Sequence, residues 1–339
     1  MNNPPYISGS SSVSVIMLKV LLALVPGIVA YVWAFGSGVL ISLVLASATA
    51  LASEAVMLKL RQRPVVPFLA DGSALVTGWL LALALPPLAP WWLVVVGTMF
   101  AIVIAKQLYG GLGYNPFNPA MIGYAVLLIS FPAIMTQWPA PLSLAHAQLG
   151  FADQLHYIFS RALPDGLNVD AISSATPLDY LKTQLKLQHS VADISHAPVF
   201  GALGGAGGEV VAGAYLLGGL YLLQQRIISW HVPIAFLLTL AVASGVFHLV
   251  APTHYAGAPF HLFSGASMLC AFFIATDPIS GPTTPKGKLI FAAGIGLLTW
   301  LIRTYGGYPD GVAFAVLLMN ICVPLIDAYT QPRVFGHDK

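Results

Sequence analysis

The segment Lys106-Gln-Leu-Tyr-Gly-Gly111 returns later in the chain as Ile302-Arg-Thr-Tyr-Gly-Gly307. Each copy is followed by a proline-containing loop and then by Ala-Val-Leu-Leu, at residues 125–128 and again at 315–318. Weak internal similarity of this kind is the usual trace of a duplicated membrane domain. The two matches keep their order, which indicates that the chain is built from two related halves.

A third pair of segments extends the duplication. Ser73–Pro86 resembles Gly265–Pro278, because each is an apolar segment that ends at a proline-bearing loop. All three matches occur in the same order and at nearly the same offset along the chain. The duplication has two interpretations: a purely architectural repeat, or a repeat that forms a site between its halves.

The composition places both halves in a membrane. Only 8% of the 339 residues are charged, against about 25% in a typical soluble domain, and 58% are hydrophobic. The mean hydropathy is +0.82. So few charges cannot keep the surface of a soluble protein hydrated, whereas a surface that contacts membrane lipid does not need them. The net charge of +2 is too small to indicate a nucleic-acid partner.

Apolar runs of about 20 residues, the length that crosses a bilayer, predict an all-α polytopic membrane protein with about ten transmembrane helices. The predicted helices lie at 15–34, 38–58, 69–86, 91–106, 120–136, 209–225, 230–250, 261–277, 287–303 and 311–328. The predicted divisions are a five-helix repeat at 1–136, a long polar loop at 137–208 and a second five-helix repeat at 209–339. Because five is odd, the second repeat must insert upside down, which makes the pair an inverted repeat.

Basic residues in the short loops predict the orientation. If the N-terminus is cytoplasmic, most of them lie on the inside: Lys59, Arg61, Arg63, Lys106, Arg226, Lys286, Lys288, Arg333 and Lys339. Among the short outside loops, only Arg303 is basic. This asymmetry predicts that both termini are cytoplasmic and that the loop 137–208 lies on the far side of the membrane.

The most informative peptide of that loop is Asp170-Ala-Ile-Ser-Ser-Ala-Thr-Pro-Leu-Asp-Tyr-Leu-Lys182. Its structural interpretation is the start of a short helix, with Thr176 as the N-cap, Pro177 at the first helical position and Asp179 at the third. Its functional interpretation uses the same geometry. A helix N-terminus attracts anions, so a phosphoryl group on the Thr176 hydroxyl would be well placed.

The peptide Asp-x-x-Ser-x-Ala-Thr-Pro-Leu-Asp resembles the flavinylation site of the RnfD subunit family, and of the related B subunit of the sodium-pumping NADH:quinone reductase. Three further segments carry the same resemblance, which extends over essentially the whole chain. They are Tyr109–Ala120, Ala275–Lys288 and Arg303–Gly307.

The resemblance implies that FMN is joined through its phosphate to the hydroxyl of Thr176, after modification by a flavin transferase. Asp170, Ser173, Ser174 and Ala175 form the rest of the motif, and Ser174 stands where the usual motif has glycine. It further implies a second, non-covalent flavin, riboflavin, among the helices. We assign no metal site, because neither the histidines nor the two cysteines have ligand spacing.

The same resemblance implies a function. The chain would be a membrane subunit, not a complete enzyme, of a ferredoxin:NAD oxidoreductase (Rnf) complex that couples electron transfer to Na+ or H+ translocation. Its partners would be the other subunits of that complex. It would lie in the bacterial inner membrane with its central loop in the periplasm. The alternative is a cofactor-free channel or secondary transporter, which the inverted repeat alone fits equally well.

Five more polar residues are candidates for a second flavin or an ion path. Asn115 and Asn118 belong to the segment Asn-Pro-Phe-Asn-Pro. This segment either ends a loop and starts a helix, with Asn118 as the cap, or forms a helix end directed at a flavin or ion. Glu54, Glu209 and Asp277 are acidic residues in apolar surroundings, where a charge is costly. Glu54 and Glu209 are the better candidates for ion or proton handling. Asp277 is either such a group, an interfacial cap or the partner of a nearby Lys or Arg in an ion pair.

Overall fold

The computed structural model of the protein describes residues 12–145 and 147–332. The first eleven residues, Arg333 and Lys339 are predicted to be cytoplasmic, and they lie outside the described residues. Most of the described chain is helical, as predicted.

Seven helices precede the central loop. They are α1 (Val13–Phe35), α2 (Gly38–Leu60), α3 (Val65–Leu69), α4 (Ser73–Ala84), α5 (Trp91–Met99), α6 (Pro119–Ser130) and α7 (Pro132–Met135). The α5 helix continues as a π-helical segment, Phe100–Gln107. The central loop contains α8 (Phe151–Ser160), α9 (Val169–Ile172), α10 (Pro177–Lys186) and α11 (Val191–Ile194), with two short strands, β1 (Trp138–Pro139) and β2 (Ser173–Ser174).

Six helices follow. They are α12 (Gly208–Gln224), α13 (His231–Val250), α14 (Ala258–Phe263), α15 (Ser267–Leu269), α16 (Pro285–Tyr305) and α17 (Val312–Thr330). The α15 helix continues as the π-helical segment Cys270–Ile274. Every predicted membrane helix therefore has a helical counterpart.

Five of the described helices, α1, α2, α13, α16 and α17, are long and apolar enough to cross a membrane. Only 22% to 44% of the most apolar stretch of each of these helices is buried, so many of their large apolar side chains lie on the outer surface. Water would not tolerate such a surface, whereas lipid would. The protein is therefore embedded in a membrane by several helices.

Some predicted helices are broken, and glycine causes two of the breaks. The predicted helix 69–86 begins only at Ser73, after Gly72 with φ +78°. The predicted helix 261–277 bends at Gly265, with φ +61°, between α14 and α15. Both values lie in the left-handed region that glycine adopts without strain. The predicted helix 120–136 breaks at Phe131, because the residue before a proline disfavours the helical conformation.

Helices that precede the central loop pack against helices that follow it. The first long helices, α1 and α12, are in contact, and so are the last ones, α6 and α17. Within each half the second helix packs on the third and fourth: α2 on α4 and α5, and α13 on α14 and α16. One hydrophobic core runs through both halves.

The central loop is more ordered than the sequence predicted. Its strands pair antiparallel, with Trp138 opposite Ser174 and Pro139 opposite Ser173, so the segment before Thr176 is joined to the end of α7. A small cluster of Leu181, Ile194 and Ala256 packs α10 and α11 onto the connection between α13 and α14. The loop is thus attached to both halves.

Candidate functional site

A cavity of about 200 Å3 lies between the two halves, beneath the central loop. The first half contributes α1, α4 and α6, and the second half contributes α12, α15 and α17. Its walls are mainly apolar and aromatic, and four tyrosines line it: Tyr31, Tyr124, Tyr215 and Tyr308. Apolar concave sites with a few polar groups are typical places for small-molecule binding.

Thr176 lies at the rim of this cavity. It is the N-cap of α10, and its hydroxyl accepts a hydrogen bond from the backbone N–H of Asp179 at 3.3 Å. Pro177 occupies the first helical position, as predicted, so the N-cap prediction is confirmed. The Thr176 hydroxyl is therefore presented by a helix N-terminus, where an anionic group is favoured.

The glycine-rich run, residues 201–208, positions Thr176 by packing closely against the neighbouring Pro177. At Gly205 an added Cβ would overlap the ring of Pro177. Only glycine therefore allows this loop to lie so close to the start of α10. At Gly204 an added Cβ would lie 2.6 Å from the Phe263 carbonyl oxygen. The run therefore serves close packing rather than phosphate binding through its own amides.

Lys182 attaches the helix of Thr176 to the second half. Its Nζ donates hydrogen bonds to the carbonyl oxygens of Ile302 at 3.2 Å and Tyr308 at 2.8 Å. Burial, and then the nearby charge of Lys186, lowers the pKa of Lys182, while Asp179 partly offsets this. The two carbonyls satisfy the ammonium and hold α10 over the cavity.

Arg303 supports the opposite wall. Its guanidinium donates to the carbonyl oxygens of His261 at 2.7 Å and Ser264 at 3.2 Å, and pairs with the Asp310 carboxylate at 3.1 Å. The same carboxylate accepts the backbone N–H of Ala266 at 2.8 Å. This buried network fixes the bend at which the cavity-lining residues Ser264 and Ala266 lie.

Two hydroxyl groups in the cavity wall are buried and have no hydrogen-bond partner among the described residues. They belong to Tyr215 and Ser264. Leaving a buried polar group unpaired costs about 1–3 kcal/mol. Both oxygens are covered by protein atoms, so a ligand in the cavity would meet mainly apolar and aromatic walls.

The structure brings only part of the predicted flavin motif to the cavity. Ser174, Ala175 and Thr176 line it. Ser173 faces a smaller pocket beside Arg161 instead. Asp170 is exposed on α9 and lines neither pocket. The strand alternation of β2 explains the difference between the two serines, since successive side chains point to opposite faces.

Asn118 caps α6, because its side-chain oxygen accepts the backbone N–H of Met121 at 3.2 Å. It also connects the halves: its amide donates to the Ile274 carbonyl at 3.2 Å, and its backbone N–H donates to the Asn320 side chain at 3.1 Å. Asn115 is buried and donates to the Phe117 carbonyl at 3.0 Å. The prediction that Asn118 caps the helix after this loop is confirmed.

Glu54 is the centre of a separate polar cluster inside the first half. One carboxylate oxygen accepts from Lys106 Nζ at 2.6 Å and from Gln107 Nε2 at 2.7 Å. Lys106 also donates to Ser73, which in turn donates to Asp71. Glu54 and Lys106 are each 2% exposed. The prediction of orientation counted Lys106 among the residues of a short loop, but Lys106 is buried within the π-helical segment Phe100–Gln107.

Glu209 and Asp277 are both engaged by neighbouring groups. The Glu209 carboxylate accepts the backbone N–H groups of Ala202, Leu203 and Gly204, which closes the glycine-rich run onto α12. Asp277 accepts the backbone N–H of Ile279 and the Ser280 hydroxyl. Neither side chain lines the cavity. Both carboxylates therefore stabilise the backbone of neighbouring turns through hydrogen bonds.

Sequence reasoning missed the four cavity tyrosines and Asp310. The tyrosines are scattered among apolar runs, and nothing in their spacing marks a shared cavity. The sequence did contain a signal for Asp310. It is an acidic residue before an apolar helix, and it lies seven residues after Arg303, the one basic residue predicted in the short outside loops. An ion pair between the two was therefore predictable.

Comparison with known proteins gives a consistent result. Residues 1–336 match the model of the NQR2, RnfD, RnfE family. A protein of Shigella dysenteriae serotype 1 (strain Sd197), named as the D subunit of an ion-translocating oxidoreductase complex, is 56% identical over 343 aligned positions, covering 99% of this chain and 97% of the relative. Proteins of the same name from Escherichia coli strains SE11 and 55989 show the same identity and coverage.

Proposed function

The chain belongs to the NQR2, RnfD, RnfE family, and from this premise we propose that it passes electrons through FMN bound covalently at Thr176. It is a membrane subunit of an ion-translocating oxidoreductase complex, as the names of its relatives indicate. In the proposal, this complex is a ferredoxin:NAD oxidoreductase that translocates Na+ or H+. The observation that carries the flavin assignment is the position of Thr176 at the rim of the inter-half cavity.

The cavity suits the ring end of FMN. Its volume of about 200 Å3 is below the roughly 300–1,000 Å3 of pockets that enclose a whole drug-sized ligand. An aromatic ring system matches the apolar, tyrosine-lined walls. The phosphate, joined to Thr176 at the rim, would remain at the N-terminus of α10.

The protein's own residues hold and orient the group. Thr176 Oγ1 would form the phosphoester, and the N-terminus of α10 would stabilise its negative charge. Lys182 holds α10 against the second half, and the Arg303–Asp310 pair holds the opposite wall. When bound, FMN supplies passage between one- and two-electron states, which side chains do not readily provide.

Flavin fluorescence of the denatured protein tests the proposal. After co-expression with a flavin transferase, the wild-type band should fluoresce and the Thr176→Ala band should not. A dark wild-type band would favour the alternative, a cofactor-free channel or secondary transporter. A non-covalent riboflavin, which the family resemblance also implies, is part of the proposal. Acid extraction of the Thr176→Ala protein would release it.

We also propose that the ten predicted membrane helices form two inverted five-helix repeats. The contacts of α1 with α12 and of α6 with α17 support this, because a two-fold relation places equivalent elements against each other. The bends at Gly72 and Gly265 lie at corresponding points of the two halves. In this arrangement the cavity lies between the repeats, and the central loop faces the periplasm.

Substituting Gly205 should weaken flavin attachment. In Gly205→Ala, the new Cβ overlaps the Pro177 ring, so the start of α10 and the Thr176 hydroxyl must shift. Overpacking of this kind costs about 1–3 kcal/mol. We expect less covalent flavin per protein, measured as in-gel fluorescence divided by stained protein. Gly245→Ala is the matched control, because nothing lies within 4 Å of its added Cβ and Gly245 does not line the cavity. Equal loading in the two variants would contradict the prediction.

Glu54 is the best ion-handling candidate of the acidic residues, because its second carboxylate oxygen is buried without a partner among the described residues. A buried carboxylate oxygen without a partner is costly, which makes Glu54 a candidate for a functional rather than a purely structural role. We expect Glu54→Gln to lower electron-transfer-driven ion uptake in proteoliposomes of the assembled complex several-fold. Covalent flavin should be unchanged, because Glu54 is remote from the cavity lining.

The matched control is Asp153→Asn, in the central loop, which should leave ion uptake unchanged. Wild-type uptake in Glu54→Gln would remove Glu54 from the ion path without affecting the flavin assignment.

A further inference from the structure

The central-loop helix α8 carries an apolar stripe on its exposed surface. Phe151, Leu155 and Phe159 recur every four residues and are 57%, 40% and 48% exposed. Residues at this spacing lie above one another on one helix face. An exposed aromatic and aliphatic stripe on a short helix is unfavourable in water.

The other two faces of α8 have different neighbours. The face toward the protein carries the buried residues Gln154, Tyr157 and Ile158. A second exposed stripe, about 100° around the helix from the first, carries Ala152, His156 and Ser160. The helix thus has a protein-facing side, an exposed apolar side and an exposed side of small and polar residues. This three-way segregation is the pattern of a helix at a boundary between apolar and aqueous surroundings.

Contacts of α8 place it across the ends of the apolar helices. Gln154 accepts a hydrogen bond from the hydroxyl of Ser37, in the turn between α1 and α2, at 3.3 Å. Arg161, directly after α8, donates to the carbonyl oxygen of Leu88, between α4 and α5, at 3.0 Å. The two turns belong to different pairs of apolar helices. A helix fastened to both lies over the bundle at the level where those helices end.

The apolar stripe continues onto the outer surface of the bundle. Phe159 stacks on Trp91 with ring centroids 6.2 Å apart and an interplanar angle of 13°. Trp91 is the first residue of α5 and is itself 40% exposed. Tryptophan at the end of an apolar helix is typical of the membrane interface.

We propose that α8 is an interfacial helix that inserts its Phe151, Leu155 and Phe159 stripe into the lipid headgroup region on the far side of the membrane. Lipid is the occupant because the stripe joins the exposed apolar surface that lipid already covers, with no charged side chain in the stripe. The helix would fix the central loop at a constant depth. This inference is independent of the flavin at Thr176.

Site-directed spin labelling tests the proposal. A nitroxide is placed at Leu155→Cys or at His156→Cys in a full-length background with Cys270→Ala and Cys322→Ala. The labelled protein is reconstituted into phosphatidylethanolamine and phosphatidylglycerol liposomes. We expect the label at 155 to collide more with oxygen than with a water-soluble nickel chelate, and the label at 156 to show the reverse.

Two results would overturn the assignment. Equal access of the nickel chelate to both labels would place the stripe in water. Shielding of the 155 label from both reagents, seen only in the assembled complex, would assign the stripe to a neighbouring protein of that complex. Phe151→Cys provides a second position on the same stripe, and a lipid-like result there and at 155 would support the proposal.

Discussion

Thr176→Ala protein is expected to carry no covalent flavin, whereas the wild type is expected to carry one FMN per chain. The substitution removes the hydroxyl that would form the phosphoester, and no other residue of the motif replaces it at the start of α10. In-gel fluorescence of the denatured protein measures the loss. Intact-protein mass spectrometry checks it, since the wild type should be heavier by one FMN less one water.

The substitution also removes a helix cap, which costs about 0.5–2 kcal/mol. Thr176→Asp separates the two effects, because an aspartate keeps the capping oxygen for the Asp179 N–H but cannot form the same phosphoester. Thr176→Ser keeps both the hydroxyl and the cap. Fluorescence should be absent in Thr176→Asp and retained in Thr176→Ser. A fluorescent Thr176→Asp band would show that the attachment lies elsewhere.

Ser174 is the nearest competing hydroxyl in the cavity lining. Its Oγ donates to the Ala175 carbonyl at 3.3 Å, and it lies in β2 rather than at a helix N-terminus. Ser174→Ala should therefore keep its flavin. Loss of fluorescence in Ser174→Ala together with its retention in Thr176→Ala would transfer the attachment to Ser174.

Arg303→Met is expected to destabilise the protein more than other single substitutions near the cavity. It removes one of the two donors to the carbonyls of His261 and Ser264, which keep only the Ser267 hydroxyl. It also leaves the Asp310 carboxylate without its counter-charge. Breaking a fully buried ion pair by removing one partner costs about 3–5 kcal/mol. The Asp310 side chain is 21% exposed, so the cost here should lie at or below the lower end of that range. We expect a clear drop in the thermal unfolding temperature in detergent, with reduced covalent flavin because the cavity wall is no longer held.

Two variants check this explanation. Arg63→Met removes an exposed arginine, and should change stability by less than about 0.5 kcal/mol. The double variant Arg303→Met with Asp310→Asn removes the unpaired charge as well, so it should recover part of the loss. If Arg303→Met unfolds at the wild-type temperature, the network does not support the cavity. If the double variant is no better than the single one, the unpaired carboxylate is not the cause.

Most of the helices were predictable, because a run of apolar residues longer than about 20 has one stable solution in lipid. The breaks were harder to predict. Gly72 and Gly265 interrupt predicted helices through their left-handed backbone, but glycine is also common inside membrane helices. The ordered central loop was not predicted either, since its helices are short and its strands contain only two residues each.

Some features of the candidate site were likewise predictable from the sequence, and others were not. The sequence alone was enough to identify Thr176 as a helix cap and, through the motif, as the expected attachment point. It could not show that Ser174 faces the cavity while Ser173 and Asp170 do not, because that depends on the pairing of β2 with β1. The Glu54–Lys106 pair joins residues of two helical segments that are far apart in the chain, so the pair and its burial follow from packing.

By itself, the sequence determined the apolar helices, the duplication of the halves and the Thr176 cap, because each of these is a property of neighbouring residues or of a repeated segment. Only the tertiary structure decided what surrounds the Thr176 hydroxyl. The cavity is formed by α1, α4, α6, α12, α15 and α17 together. Residues so far apart in the chain meet only when the two halves bury their apolar faces against each other.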